Sequence, residues 1–218
     1  MLAKKNDFIE LEFTGKIKET GEVFDAAGPK IGKDPLKLCI GHEMILQSLD
    51  KELEEKEVGK EYHFELAPEK AFGKRDNSLI KTIPISVFHE HDIEPNAGIF
   101  YNIDGLLVKI ISVSSGRVIT DFNNPLSGKN LVYDFKILKI IDNEDEKIKI
   151  LVNAYLGLDD KSYDLIQKEK PSERYLALKK DLGDRQAVID ALKTLDSRIN
   201  QLVEKAKSVL KIDLKLEY

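Results

Sequence analysis

Four histidines are the residues best suited to acid–base or metal chemistry in this chain: His42, His63, His89 and His91. His89 and His91 lie two residues apart in the triplet HEH, so both imidazoles could reach one metal ion from an extended strand. Neither a cysteine nor a third histidine is close in sequence, and we interpret the triplet as a polar loop that needs no metal or cofactor. Carboxylates are abundant, but no pair stands out as a general acid and base. We therefore predict a site without proton-transfer chemistry.

The motifs of phosphate, hydride and acyl transfer are missing from the sequence. It has no GxxxxGK[ST] loop, no GxGxxG after a strand, no GxSxG turn and no CxxC. Its 34 basic and 39 acidic residues are interspersed and give a net charge of −5, which argues against nucleic acid as the main partner. With no apolar run of about twenty residues and no apolar leader, we expect a cytoplasmic protein that does not enter membranes. The single cysteine, Cys39 in LKLCIG, is predicted to be a buried structural thiol.

The remaining candidates for chemistry are apolar and aromatic residues, each on a predicted inward face or beside a turn. They are Phe13, Phe24, Ile45, Leu49, Phe72 and Tyr133. Asp25, directly after Phe24, adds one isolated carboxylate. An apolar concavity with a single carboxylate is poorly suited to hydrolysis, but it could hold a proline ring.

The elements that must position these residues begin with a β-rich unit of about seventy residues. Period-two alternation predicts strands in DFIELEFTG, PLKLCIG and KEYHFELAP, and again in NLVYDFKILKII at residues 130–141. KIKETGEVFD predicts a hairpin that turns at Gly21. Between them Ile45, Leu46, Leu49 and Leu53 form a helical stripe, and Gly59 is the predicted end of that helix.

Residues 74–120 have a different character and predict a small β-rich domain inserted into the first one. Asp104-Gly105 and Ser115-Gly116 mark two tight turns between apolar strands, and Pro84 interrupts the pattern. A segment of this length is too long for a simple loop in a compact domain. Its two ends should lie close together because the flanking strands belong to one sheet.

The C-terminal part begins with the acidic run DNEDEK, which we interpret as a linker. KIKILVNAYL and LKIDLKLEY are predicted as strands that enclose a helical region. That region carries an apolar seam with heptad spacing, formed by Val188, Leu192, Leu195, Ile199, Leu202, Ala206 and Val209. The seam either packs on its own domain or associates with a second copy, and the sequence favours the second interpretation.

In order, the segments EVFD, KLCIG, MILQSLDKELEEKEVG, APEKAFG and NNPLSGKNLVYDF resemble the FKBP-type prolyl isomerases. The resemblance covers residues 6–141 and is greatest to the SlyD-like branch, in which an insert-in-flap chaperone domain follows the AFG segment. NNPLSGKNL is similar to the NHPLAGQNL signature of that branch. The C-terminal extension resembles the archaeal long-type members, which are dimeric.

The resemblance implies an α+β fold, an FKBP-like antiparallel sheet wrapped on one helix, with a small β-rich insert and a C-terminal α+β domain. It assigns residues 1–73 and 121–141 to the isomerase domain, 74–120 to the chaperone insert, and 142–218 to a dimerisation domain. The implied pocket walls are Phe13, Phe24, Leu36, Phe72 and Tyr133. Ile45 and Leu46 would lie at the helix entry, Leu49 at the floor, Leu126 at one side, and Asp25 beside the twisted bond. Leu49 replaces a tryptophan, and Phe72 a tyrosine, of many members.

The implied function is prolyl cis-trans isomerisation coupled to binding of unfolded chains. On the insert, the residues expected to contact these chains are Val87, Phe88, Ile99, Phe100, Tyr101, Leu106 and Leu107, although about half could form its own core. Two alternatives stay open at this point: a holdase with little isomerase turnover, and a structural dimer in which isomerisation is incidental.

Overall fold

A computed structural model describes residues 1–103, 105–167, 170, 172–179 and 196–217. Its strands are β1 Phe8–Ile17, β2 Val23–Ala27, β3 Leu36–Cys39, β4 Glu61–Leu66, β5 Ile80–Pro84, β6 Phe100–Ile103, β7 Leu106–Ser114, β8 Arg117–Asp121, β9 Leu131–Ile140, β10 Tyr163–Ile166, β11 Glu173–Leu178 and β12 Asp213–Glu217. The α-helices are α1 Gln47–Leu53, α2 Ile85–Glu90, α3 Glu144–Leu156 and α4 Asp196–Lys205, the last continued by a π-helical turn Ala206–Leu210. The predicted α+β class is confirmed.

Three sheets account for these strands. One has the order β2-β1-β9-β4 with β3 paired to β1, a second has the order β10-β11-β12, and a third the order β5-β8-β7-β6. The chain divides into two compact units: unit 1 is Met1–Phe13, Ala26–Tyr62 and Phe135–Tyr218, and unit 2 is Thr14–Asp25 and His63–Asp134. No helix among the described residues is long and apolar enough to cross a membrane.

In unit 1 the antiparallel pair of β1 and β3 leads to the short helix α1. Asp50 is buried in that helix, and its carboxylate accepts the backbone N–H groups of Gly41 at 2.9 Å and Glu43 at 2.8 Å, which fixes the turn before the helix. The predicted helix end at Gly59 is wrong: α1 ends at Leu53, since Glu54 is extended and Glu55 has a φ of 62°. The predicted stripe is also shorter than expected, because Ile45 and Leu46 precede the first helical residue.

The acidic run after β9 begins a helix, so the predictions of a linker in DNEDEK and a strand in KIKILVNAYL are wrong. The side chain of Asn143 accepts the backbone N–H of Glu146 at 2.8 Å and caps α3. Three acidic residues occupy the first turn of α3, where they complement the positive end of the helix. Gly157, with a φ of 68°, ends it. The strand predicted in LKIDLKLEY is confirmed as β12.

The second half of the heptad seam packs within unit 1. Leu202 and Ala206 are buried, and Ile199 and Val209 are partly buried against the same core. That core also contains Phe8, Cys39, Ile148, Leu151, Leu176 and Leu214. Packing on its own domain is therefore the interpretation that holds for these four residues. Val188, Leu192 and Leu195 lie outside the described residues, and a dimer through residues 142–218 stays a prediction.

Unit 2 contains the predicted hairpin and the insert. Gly21, with a φ of 70°, donates its N–H to the Ile17 carbonyl at 2.8 Å and turns β1 into β2. In the insert, the four strands of β5-β8-β7-β6 pair antiparallel, with a bulge between Ile110 and Ser112. Positive φ angles at Gly105, and at Ser115 and Gly116, place turns where they were predicted. The β-rich insert also contains α2, which covers one face of its sheet through Phe88.

Candidate functional site

Two aromatic side chains of unit 2 form the centre of the candidate site. The rings of Phe24 in β2 and Tyr133 in β9 meet edge to face, with centroids 5.7 Å apart and an interplanar angle of 87°. Gly15 in β1 makes this approach possible: a Cβ on Gly15 would lie 2.7 Å from Cζ of Phe24 and 3.0 Å from Cε1 of Tyr133. A glycine in a strand interior commonly marks such a close approach.

The polar groups beside the aromatic pair are the Tyr133 phenol and the Asp25 carboxylate. Burial, and secondarily the negative charge of Asp25, raise the pKa of Tyr133 to about 12. The phenol therefore stays protonated at neutral pH and cannot serve as a base. Asp25 itself is exposed to solvent, so its carboxylate borders the aromatic pair and is not enclosed by it.

Phe72 and Leu126 belong to two loops that are tied to one another. The Ser127 hydroxyl donates to the Phe72 carbonyl at 2.9 Å, and the Gly128 N–H donates to the Gly73 carbonyl at 2.8 Å. Both Phe72 and Leu126 are half-buried. The APEKAFG and NNPLSG segments, more than fifty residues apart in sequence, are thus held together within unit 2.

Two concavities of unit 2 share a wall. The first, which we call the central cavity, has a volume of about 510 Å³, and its lining includes Phe24, Leu126 and Phe100. The second, the client groove, has a volume of about 610 Å³ and is lined by Leu79, Lys81, Leu106, Leu107, Phe122, Asn123, Asn124 and Pro125. Asn123, Asn124 and Pro125 line both.

The other predicted pocket residues lie in unit 1. Phe13 and Leu49 are buried, and Leu36, Ile45 and Leu46 are half-buried. Leu36 borders a separate cavity of about 770 Å³ within unit 1, together with Pro35 and Met44. A single pocket that combines these five residues with Phe24, Asp25, Phe72, Leu126 and Tyr133 stays a prediction.

The insert residues predicted to contact clients fall into two groups. Phe88 is only 1% exposed and forms the insert's core with Ile110 and Val118, so its assignment to a binding surface is wrong. Tyr101 packs partly buried against that core and donates its hydroxyl to the Glu94 carbonyl at 2.8 Å, so it too has a structural role. The remaining five are exposed: Val87, Ile99, Phe100, Leu106 and Leu107.

Comparison with known proteins shows what this chain is similar to. A family model described as FKBP26, IF domain, matches residues 81–126. A short-type peptidyl-prolyl cis-trans isomerase of Methanocaldococcus jannaschii is 29% identical over 156 residues, which cover 66% of this chain and 98% of the relative. The FKBP-type isomerase SlyD of Helicobacter pylori is 27% identical over 61% of this chain and 73% of its own length. SlyD of Aeromonas hydrophila is 33% identical over 59% of this chain and 60% of its own length.

The resemblance of this chain to the FKBP-type peptidyl-prolyl isomerases is confirmed by these relatives. Its SlyD-like resemblance and the insert-in-flap domain are thereby confirmed, and the matched range of that domain begins and ends later than the predicted 74–120. The likeness of the C-terminal extension to long-type members, and the predicted domain bounds, stay predictions.

Three features of this site are not predicted by the sequence patterns above. Gly15 lies inside the strand β1, and a glycine in a strand interior is the sequence signal for the close approach seen here. Lys109 places its ammonium 5.4 Å from the centroid of the Phe100 ring, an arrangement that depends on the pairing of β6 with β7. Asn123 and Asp121 are buried polar residues at the end of the insert; they bond to each other and to Asp76 and Arg75, which are far away in sequence.

Proposed function

We propose that the protein catalyses cis-trans isomerisation of X–Pro bonds and that its insert binds the unfolded chains that carry them. The observation that carries this proposal is the wall shared by the client groove and the central cavity. A chain lying over Leu106 and Leu107 would extend past Asn124 and Pro125 toward Phe24. Binding and isomerisation would then act on one continuous segment.

The reaction needs no acid, base or metal. An X–Pro bond isomerises in tens of seconds, with an activation energy of about 20 kcal/mol. Rotation breaks the amide resonance and leaves a less polar bond. Apolar walls such as Phe24 and Tyr133 hold the proline ring and disfavour the planar, more polar ground state relative to the twisted one, which is differential stabilisation of the transition state. Because its pKa is about 12, the Tyr133 phenol can act only as a wall or a hydrogen-bond donor near neutral pH.

The chaperone part of the proposal is supported by exposed apolar side chains on the insert. Leu106 is 60% exposed, Ile99 51% and Leu107 49%. Neighbouring β6 is an edge strand of the insert sheet, so its free backbone groups can pair with an extended client. Exposed apolar side chains beside an open sheet edge are typical of peptide-binding sites.

Catalysed refolding of a proline-limited protein tests both parts together. We expect the wild-type protein to accelerate the slow phase and to suppress aggregation of the unfolded substrate. Leu106→Ser and Leu107→Ser should weaken both effects on the protein substrate while turnover of a short prolyl peptide is retained. Ile111→Ser is the matched control, because Ile111 lies on the same strand with 40% exposure and outside the groove. Equal losses from Ile111→Ser and Leu107→Ser would contradict the assignment of the groove.

A holdase with little turnover is the second candidate, and the exposure of Asp25 favours it. An exposed carboxylate is well hydrated and contributes little to the desolvation on which the proposed catalysis depends. Suppressed aggregation without any acceleration of peptide isomerisation would establish this alternative.

A further inference from the structure

The two connections between the insert and the rest of unit 2 are joined by a polar network in which Asp121 and Asn123 are buried. The chain enters the insert through Arg75 and Asp76 and returns through Asp121 and Asn123. The Asn123 side chain accepts the backbone N–H of Asp76 at 2.8 Å and donates to the Asp76 carbonyl at 2.9 Å. It also donates to the Asp121 carboxylate at 2.6 Å. The two bonds between Asn123 and Asp76 join chain segments 47 residues apart.

The geometry requires an amide at position 123. By accepting from the N–H and donating to the C=O of one residue, the side chain of Asn123 pairs with Asp76 as a strand would. An aspartate would lose both donated bonds and would place a carboxylate against that of Asp121. A buried donor or acceptor left without a partner destabilises the folded state, so the network is sensitive to single substitutions.

Arg75 completes the network on the entry side. Nη2 of Arg75 lies 2.6 Å from Oδ2 of Asp121, and Asp121 is only 8% exposed. Burial acts to raise the pKa of Asp121, but hydrogen bonds from Asn123 and the charge of Arg75 outweigh it and lower that pKa below its usual value. Asp121 is therefore ionised at neutral pH, and it holds the entry and return segments together by charge.

The network also forms part of the central cavity. Arg75, Asp121 and Asn123 line it together with Phe24 from the hairpin and Phe100 from the insert. We propose that Asn123, Asp121 and Arg75 are positioning residues that fix the insert-borne Phe100 relative to Phe24, so that a client held by the insert is presented to the isomerase site. The inference rests on the proposed function and extends it to the coupling between the two parts.

The test compares the kcat/KM of isomerisation for an unfolded proline-limited protein and for a short prolyl peptide. With Asn123→Asp, the ratio of protein to peptide kcat/KM should fall by about tenfold or more, mainly through KM for the protein, because fixed geometry supplies effective concentration. Asn130→Asp is the matched control: its exposed amide donates to the Glu19 carboxylate at 2.6 Å, away from the connections. That control should leave the ratio unchanged. A proportional loss on both substrates, or no loss on either, would overturn the proposal.

A measurement independent of activity separates this inference from the proposed function. Spin labels at Thr20→Cys in the hairpin and Asn102→Cys in the insert report the distance between the two parts; both positions are exposed, and the native Cys39 is buried. Asn123→Asp should broaden the distance distribution, and an unchanged distribution would overturn the positioning role even if isomerase activity is absent. If Asn123→Asp does not fold, the same distance measurement is made on Arg75→Met. Arg75 is half-exposed, and its substitution breaks the same network.

Discussion

Substitution of Gly15 by alanine should disrupt the aromatic pair from within the strand. An ideal Cβ at this position would lie 2.7 Å and 2.9 Å from two carbon atoms of Phe24 and 3.0 Å from one of Tyr133. Non-bonded carbon atoms prefer about 3.5–4.0 Å, so the Phe24 ring must move by about 1 Å or the strand must shift.

The cost of Gly15→Ala can be estimated from these contacts. Overpacking of a well-packed site typically costs about 1–3 kcal/mol. Loss of the edge-to-face arrangement adds about 0.5–1.5 kcal/mol. We therefore expect the free energy of unfolding to fall by about 2–4 kcal/mol, which would lower the urea midpoint by about 1 M.

Urea denaturation followed by circular dichroism measures this change, and a second variant tests its cause. Phe24→Leu shortens the side chain that meets the new methyl group, so Gly15→Ala and Phe24→Leu together should be less destabilising than the sum of the two. A coupling energy of about 0.5–3 kcal/mol is typical of residues in direct contact. Isomerase activity should stay low in the double variant, because the ring is still missing. Wild-type stability in Gly15→Ala would refute the reasoning.

Three further predictions concern other parts of the chain. Burial raises the pKa of the Cys39 thiol to about 12, so it should resist thiol reagents at pH 8 in the folded protein and react only after unfolding. In an NMR titration His63 should titrate above 6.5, chiefly because of its hydrogen bond to Asp134, and His42 below 6.5, because of burial and a nearby lysine. The His63 contribution to stability is therefore complete below pH 6.5 and lost as the pH rises through the folded pKa, and a His63→Gln variant should lack this dependence. Phe88→Ala should destabilise the insert by about 3–5 kcal/mol, detected as preferential proteolysis there, and normal protease resistance would contradict its core role.

The strands around the site could be predicted from the sequence because their period-two patterns are strong and their turns contain glycine. The helix α3 could not, because Ile148, Ile150, Leu151 and Val152 are all buried and hide the helical period. Its Asn143 cap and acidic first turn were the better signal, and the interpretation as a solvated linker overlooked them.

The site itself was predicted more through family resemblance than through pattern. Phe72 and Leu126 lie in loops, where neither a period-two nor a helical pattern distinguishes a wall from a solvent-exposed residue. Phe88 and Phe100 could not be separated by sequence, since their exposure depends on which face of the insert each occupies. The pairing of Asn123 with Asp76 depends on the return of the chain after 47 residues, which local spacing does not encode.

Exchange NMR on a short X–Pro peptide is the most direct test of the central claim that an apolar site with Phe24 catalyses rotation. We expect the wild-type protein to accelerate cis-trans exchange. Phe24→Ala should reduce kcat/KM by about tenfold or more, which is equivalent to about 1.4 kcal/mol of transition-state stabilisation. Val23→Ala, a variant of the exposed neighbouring residue, should remain active. No acceleration by the wild-type protein, or equal acceleration by Phe24→Ala, would contradict the account.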